Sequence, residues 1–245
     1  MRKYLRKYKN YTPTILNSII LMIVLYCSLF YVEHINLFAR NNVVVFGNAY
    51  IQKNTILDAI NINEEESIFS YDLGILQKNV ESIEFIKSAK VSIILPSTLM
   101  IQILERSPVV LVLLDANKYF FDDEQTPLLA TKEAINFFPV PIMIFDNDKT
   151  LKLGDFELTK ALRFINKSRA NHSQLYENLS EIRYKNNNLS LITDERTKID
   201  LGDKKAIYKI NILKEFQNTV NNKRSLNDYA YINLKIDNQI IVREH

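Results

Sequence analysis

Between Ile15 and Val32 the chain reads ILNSIILMIVLYCSLFYV, eighteen residues without a charge. As an α-helix rising about 1.5 Å per residue, this run reaches roughly 27 Å, enough to cross the hydrocarbon core of a bilayer. It is apolar on every side, whereas a helix packed on a soluble core keeps one face for water. Asn17 and Ser18 lie near its start, and Tyr4, Tyr8, Tyr11, Phe30 and Tyr31 supply amphipathic rings close to the two interfaces. Arg2, Lys3, Arg6, Lys7 and Lys9 precede the run, with no acid among the first fourteen residues. That asymmetry predicts a cytoplasmic amino terminus over residues 1–14 and an anchor over residues 15–37. The sequence EHINLFARNN after Val32 has no small-residue cleavage signal, so the anchor is expected to stay attached, with the rest of the chain outside the cytoplasm.

Further along, the period of the apolar positions changes from helix to strand several times. NVVVF (42–46) reads as a buried strand ended by Gly47-Asn48, and Ile51, Ile56, Leu57 and Ile60 then recur at helical spacing. Leu73, Leu76 and Val80 predict a second helix over Asp72–Glu81 with Asp72 as its cap. Ala89, Val91, Ile93 and Leu95 alternate, Pro96-Ser97 turns, and Leu99, Ile101 and Ile103 alternate again. The order is β-α-α-β-β. Beyond Pro108 strands are expected at 109–115, 118–122, 140–145, 181–185, 189–193 and 197–201, with helices over about Phe156–Lys167 and Asp203–Asn221. YAYINLKI (229–236) and QIIVR (239–243) predict a closing hairpin around Asp237-Asn238, the last strand at a sheet edge. The fold class is therefore α+β: one membrane helix, a small β-α-α-β-β domain over 38–107 and a β-rich domain with flanking helices over 108–245.

Composition removes several kinds of chemistry. With 31 basic and 28 acidic residues the net charge is +3, and the five basic residues of the tail account for all of the excess. A protein that grips nucleic acid by its phosphates is excluded on that balance. Cys27 is the single cysteine, inside the apolar run, so neither an intramolecular disulfide nor a CxxC pair can form. His34, His172 and His245 share no ligand spacing and are read as solvated or interfacial. No phosphate loop, dinucleotide fingerprint or nucleophile elbow is present. Glu64-Glu65-Glu66 and Asp122-Asp123-Glu124 could pair carboxylates, but both read as solvated turns. No catalytic residue, metal site, cofactor or small-molecule substrate is expected.

The segment from Val43 to Pro108 resembles the POTRA domain of the bacterial cell-division proteins FtsQ and DivIB. The pattern is carried by Val45, Gly47, Asn48, Ile86, Ala89, Val91, Pro96, Thr98, Leu99, Ile101, Ile103, Glu105, Arg106 and Pro108. Gly47, Asn48, Pro96, Leu99, Glu105, Arg106 and Pro108 are assigned structural roles, Glu105 and Arg106 as a surface pair at a strand end. YFFD near Tyr119, SEIR near Ser180, the strand ending at Gly202 and YAYINLKIDNQIIV resemble that family's second, β-rich domain. Here the family's Asp and Arg of the last motif are Asn233 and Lys235, a common basic residue is Ile93, and Glu84 stands for a common Pro.

The resemblance implies a non-enzymatic, single-pass scaffold of the divisome at the septum. It would bind FtsB- and FtsL-like partners outside the cytoplasm, with contacts to the septal peptidoglycan synthase complex, and help regulate septal peptidoglycan synthesis. Strand addition at the chain's final strands would place Tyr229, Tyr231, Asn233 and Lys235 at the partner-binding edge, with Ile232, Leu234 and Ile236 on the opposite face. The alternative is a POTRA-bearing chaperone or a secretion or outer-membrane assembly component, which would want repeated POTRA units or a following barrel.

Overall fold

The computed structural model describes residues 12–34, 42–63, 66–114, 117–145, 152–185, 188–202, 204–220, 222–237 and 239–245. The basic residues of the tail, Glu64, Glu65, Asp203 at the start of the last expected helix and the turn residue Asn238 lie outside them. Two compact units follow one another, Met1–Glu105 and Arg106–His245.

Helix α1 (Thr12–His34) contains the apolar run and continues slightly past both of its ends. Pro13–Val32 is long and apolar enough to cross a membrane, and none of it is buried against the rest of the chain. Inside it Ser18 and Ser28 donate their hydroxyls to the carbonyls of Thr14 and Leu25, so both hydroxyls are satisfied within the helix.

The remainder of the first unit is β1 (Asn42–Phe46), α2 (Lys53–Ile60), α3 (Leu73–Glu81), β2 (Ile86–Ile94) and β3 (Thr98–Glu105). The expected β-α-α-β-β order is present, with sheet order β1-β3-β2, β1 parallel and β2 antiparallel to the central β3. Asp72 caps α3 as its sequence position predicts, accepting from the N–H groups of Gly74 at 2.8 Å and Ile75 at 3.2 Å. Ile56, Ile60, Leu76 and Val80 of the helices close over Val43, Leu99, Ile101, Ile103, Ala89 and Val91 of the strands.

Two residues set the exit from β1. Gly47 has φ +87°, and a Cβ there would lie 2.1 Å from the Ile103 carbonyl oxygen, so only glycine permits β1 and β3 to meet this closely. Glu105 then gathers the loop that follows: its carboxylate accepts from the N–H groups of Ala49 (3.1 Å), Tyr50 (2.9 Å) and Ile51 (2.8 Å). The surface pair with Arg106 is thus not what Glu105 makes; three donors of its own unit claim it.

The second unit is one mixed sheet of nine strands. These are β4 (Pro108–Leu114), β5 (Asn117–Asp122), β6 (Pro127–Leu129), β7 (Ile142–Phe145), β8 (Leu179–Lys185), β9 (Asn188–Thr193), β10 (Lys198–Gly202), β11 (Tyr229–Asn233) and β12 (Ile241–Glu244). Their spatial order is β12-β11-β10-β9-β8-β7-β4-β5-β6. Four helices lie between strands: α4 (Lys132–Phe137), α5 (Phe156–Asn171), α6 (Ser173–Glu177) and α7 (Ala206–Val220). Crossovers through α5 and α6, and through α7, make β7–β8 and β10–β11 parallel, while tight turns make β8–β9 and β9–β10 antiparallel. Leu158, Leu162, Ile165, Ile210 and Leu213 of the helices join Val110, Ile182, Leu191, Ile199 and Ile232 in the main core. The strand β6 and the short helices α4 and α6 have no counterpart in the sequence-based expectation, being too brief to show a period.

Three local readings are corrected by burial. Asp122 is 1% exposed rather than solvated. Its Oδ1 accepts from the N–H groups of Glu124 and Thr126, and Arg106 donates to Oδ2 at 2.7 Å and also to Glu124 and Thr126. Arg106 therefore fastens the β5–β6 turn. His172 is also buried, its Nδ1 accepting from the Leu175 N–H at the start of α6. Finally, the closing hairpin is looser than a two-residue turn: β11 ends at Asn233, β12 begins at Ile241, and these two residues pair.

Replacing Gly47 by alanine is expected to lower the stability of the first unit by more than about 1 kcal/mol, read as an earlier urea transition of the full chain, because the added Cβ meets backbone. His172 supplies a pH dependence. Burial lowers its pKa below the usual 6.5, with the charge of Lys214 adding to the effect and the Gln217 side chain opposing it. The unfolded chain then binds the extra proton first, so stability is full above pH ~6.5 and falls as the pH drops below it. Urea midpoints at neutral and mildly acid pH should converge in His172→Gln relative to the parent.

Candidate functional site

Strands β8 to β12 carry the face of interest. Opposite the main core their side chains form two cross-strand rows: Glu181, Ile192, Lys198, Tyr231 and Arg243 in one, and Arg183, Ser190, Asp200, Asn233 and Ile241 in the other. The alternation follows from the strand period, since Ile182, Leu191, Ile199 and Ile232 point into the core between them. The result is a polar face ending at β12.

At its centre lies Asp200, 5% exposed. A carboxylate withdrawn from water this far requires donors and countercharge. The Tyr231 hydroxyl donates to Oδ2 at 2.9 Å, Lys235 Nζ stands 3.3 Å from the same oxygen, and Lys198 Nζ is 3.6 Å from Oδ1. Lys198 also lies 5.9 Å from the Tyr231 ring centre, on its face. Burial, followed by the hydrogen bond and the negative charge of Asp200, pushes the Tyr231 phenol up to about 12, with Arg243 opposing. From beneath, buried Lys209 of α7 donates to the carbonyls of Leu201 at 2.8 Å and Lys235 at 3.4 Å, and the Leu234 N–H donates to the Asp200 carbonyl. These bonds hold the short β10–β11 pairing together. Among the described residues no group of three or more His, Cys, Asp and Glu could hold a metal.

The residues expected at a partner-binding edge are not at one. β11 lies between β10 and β12, and among the described residues the edge is β12, paired only with β11. Nor do the four share a face. The register shifts between Tyr229 and Tyr231, so Tyr229 turns into the core, 3% exposed and beside Phe216 with ring centres 5.7 Å apart. Tyr231 and Asn233 face the polar side; Asn233 accepts from the Lys235 N–H, and Lys235, past the strand's end, reaches back to Asp200. Leu234 lies with Ile232 in the core, while Ile236 is 50% exposed in the connection.

Of the residues given structural roles, Gly47, Leu99 and Glu105 organise the first unit. Asn48 donates its side-chain amide to the Ile51 carbonyl, Pro96 lies in the β2–β3 turn, Arg106 holds the β5–β6 turn, and Pro108 opens β4. The sequence reading missed Asp200, Lys198 and Lys209. One signal was legible: Asp200 is an acid within the apolar strand TKIDL, where an unpaired charge would be costly.

Replacing Tyr231 by phenylalanine deletes the donor to Asp200 and should cost about 1 kcal/mol of stability in denaturant unfolding. Since the folded phenol titrates above its unfolded value near 10, its contribution is complete below pH 10 and is lost as the pH rises toward 12. The gap between the two proteins should close over that window.

Comparison with known proteins agrees with this architecture. Residues 38–106 match the family model "POTRA domain, FtsQ-type", and residues 107–242 match "FtsQ/DivIB, C-terminal related". The "Cell division protein FtsQ" of Rickettsia typhi and that of Rickettsia prowazekii are each 31% identical over 87 residues, 36% of this chain and 33% of theirs. The match thus spans about a third of those relatives' length. A solved structure of the major extracytoplasmic domain of the cell-division protein DivIB from Geobacillus stearothermophilus aligns over 49% of this chain and 98% of that one, at 11% identity and a TM-score of 0.30. With more than half of its length under the second of these models, the chain belongs to the FtsQ/DivIB family of cell-division proteins.

Proposed function

We propose that the chain is a non-enzymatic, single-pass scaffold of the divisome. It crosses the cytoplasmic membrane through α1 with its amino terminus inside, and it holds FtsB- and FtsL-like partners outside by accepting a strand on β12. Through them it reaches the septal peptidoglycan synthase complex and helps regulate septal peptidoglycan synthesis. The observation that supports this reading is the free side of β12. Among the described residues it pairs only with β11, all four of its residues are exposed, and Ile241 and Val242 present 45% and 38% of their surface. A strand left this way offers a row of unpaired backbone groups. The other edge of the sheet, β6, is three residues long and begins with Pro127, so it offers little to pair with. Arg224 forms an ion pair with Glu244, which steadies the end of β12.

Binding rests mainly on main-chain groups, so the replacement of Asp and Arg by Asn233 and Lys235 leaves it intact. Specificity comes from alternate side chains and from the polar face beside the edge.

The test is binding of the full chain, held in nanodiscs, to the exterior segments of its own organism's FtsB- and FtsL-like proteins, with proline placed in turn at Ile241, Val242 and Arg243. Alternate N–H groups face outward, so at least one position should weaken binding about tenfold while the unfolding midpoint is kept. Unchanged binding by all three would reject strand addition at β12.

A further inference from the structure

Turns between strands are ordinarily polar, yet the β2–β3 turn is not. From Val91 to Leu104 the chain carries no charge, and its tip reads ILPS. Ile94 is 48% exposed and Leu95 65% exposed, and neither belongs to the core of the first unit. Two large aliphatic side chains at this turn are an apolar surface without a core partner among the described residues.

Topology says which way this tip points. Ile94 pairs with Thr98, and Thr98 with Asn42, so the last row of the sheet before the turn contains the first residue of β1. Strand β1 runs from that row toward Gly47, and the chain therefore arrives at Asn42 from the side on which Leu95 and Pro96 project. Only residues 35–41 separate Asn42 from the end of α1, and eight Cα steps span at most about 28 Å. The connection between α2 and α3 lies toward the same end. α2 starts just after the loop held by Glu105, and α3 runs back to Ile86, which pairs with Glu105. Beside this connection are Phe69, 58% exposed, and Ile75, 57% exposed.

From these placements we infer that the β2–β3 turn is a membrane-contacting tip, with Ile94 and Leu95 seated in the interfacial layer of the leaflet from which α1 emerges. The occupant is lipid, because the tether keeps the row beside the membrane and the tip has no charge with which to choose an ionic partner. Glu66 and Asp72 on the neighbouring connection disfavour attraction to anionic headgroups, so the contact is apolar insertion and works on neutral lipid. Its consequence is orientation: two attachments, helix and tip, hold the first unit at a set angle to the membrane where a single tether would let it swivel. The inference rests on α1 crossing the bilayer and is independent of strand addition at β12.

The test uses the full chain reconstituted in phosphatidylcholine vesicles. Cys27 is the single cysteine, so Cys27→Ser with Ser97→Cys or Lys53→Cys places one environment-sensitive fluorophore at the tip or at the exposed start of α2. Lipid-borne nitroxide should quench the label at Ser97 several-fold more than the label at Lys53, and added phosphatidylglycerol should not raise the difference. Leu95→Asp, at a solvent-facing position, should abolish the excess quenching while the unfolding midpoint stays unchanged. Equal quenching at both positions would overturn the inference, as would excess quenching that survives Leu95→Asp. A blue shift of the Ser97 label without nitroxide quenching, seen only when a partner protein is added, would assign the tip to that partner and also overturn it. Recovery of the chain in the soluble fraction would remove the anchor and the tip together, an outcome distinct from a vesicle-bound chain whose tip faces water.

Discussion

A carboxylate buried at the middle of a polar face is the constraint on which the far end of the large sheet depends. Asp200 is held by the Tyr231 hydroxyl and flanked by two lysine ammonium groups. Without them, its charge would face the full cost of leaving water. The partners come from both strands of a parallel pair only three residues long in register, and Lys209 ties the ends of the same two strands from below. Parallel strands joined by a helix have no hairpin to align them, so polar side chains do the aligning. Since β12 is attached to the fold through β11, the register of the free edge is inherited from this cluster.

The same economy operates where the two units join. Glu105 and Arg106 are neighbours of opposite charge, and each is used within its own unit. Glu105 collects three N–H groups of the loop leaving β1, and Arg106 neutralises the buried Asp122 that shapes the β5–β6 turn. An exposed pair between the two would have contributed about 0 to 1 kcal/mol. Charge-assisted bonds to several backbone donors, or to a buried carboxylate, are stronger and fix local geometry.

The function proposed above would draw on attachments of different physical kinds. In the proposed reading a uniformly apolar helix holds it to the bilayer, an uncharged turn gives the first unit a second hold, and an open strand edge recruits partners through main-chain groups. Confinement near the membrane would then raise the local concentration of that edge for partners anchored in the same bilayer.

Much of this was determined by the sequence alone. The long apolar helix, the β-α-α-β-β order, the Asp72 cap and most strands of the second unit follow from hydrophobic period and turn chemistry, which act over a few residues. Gly47 was legible as a turn, although its closeness to Ile103 was not. What only the tertiary structure decided depends on residues far apart in the chain. The strand order made β12, and not β11, the edge, and the register shift after Tyr229 sent that ring into the core while Tyr231 stayed outside. Asp200 meets a tyrosine and a lysine more than thirty residues away, Asp122 meets Arg106, and His172 lies beneath a helix contact instead of in a wet loop. The physical reason is that burial and pairing of a charge are properties of the surroundings that folding assembles, and a period of two or 3.6 residues says which side of an element a residue takes without saying what will stand opposite.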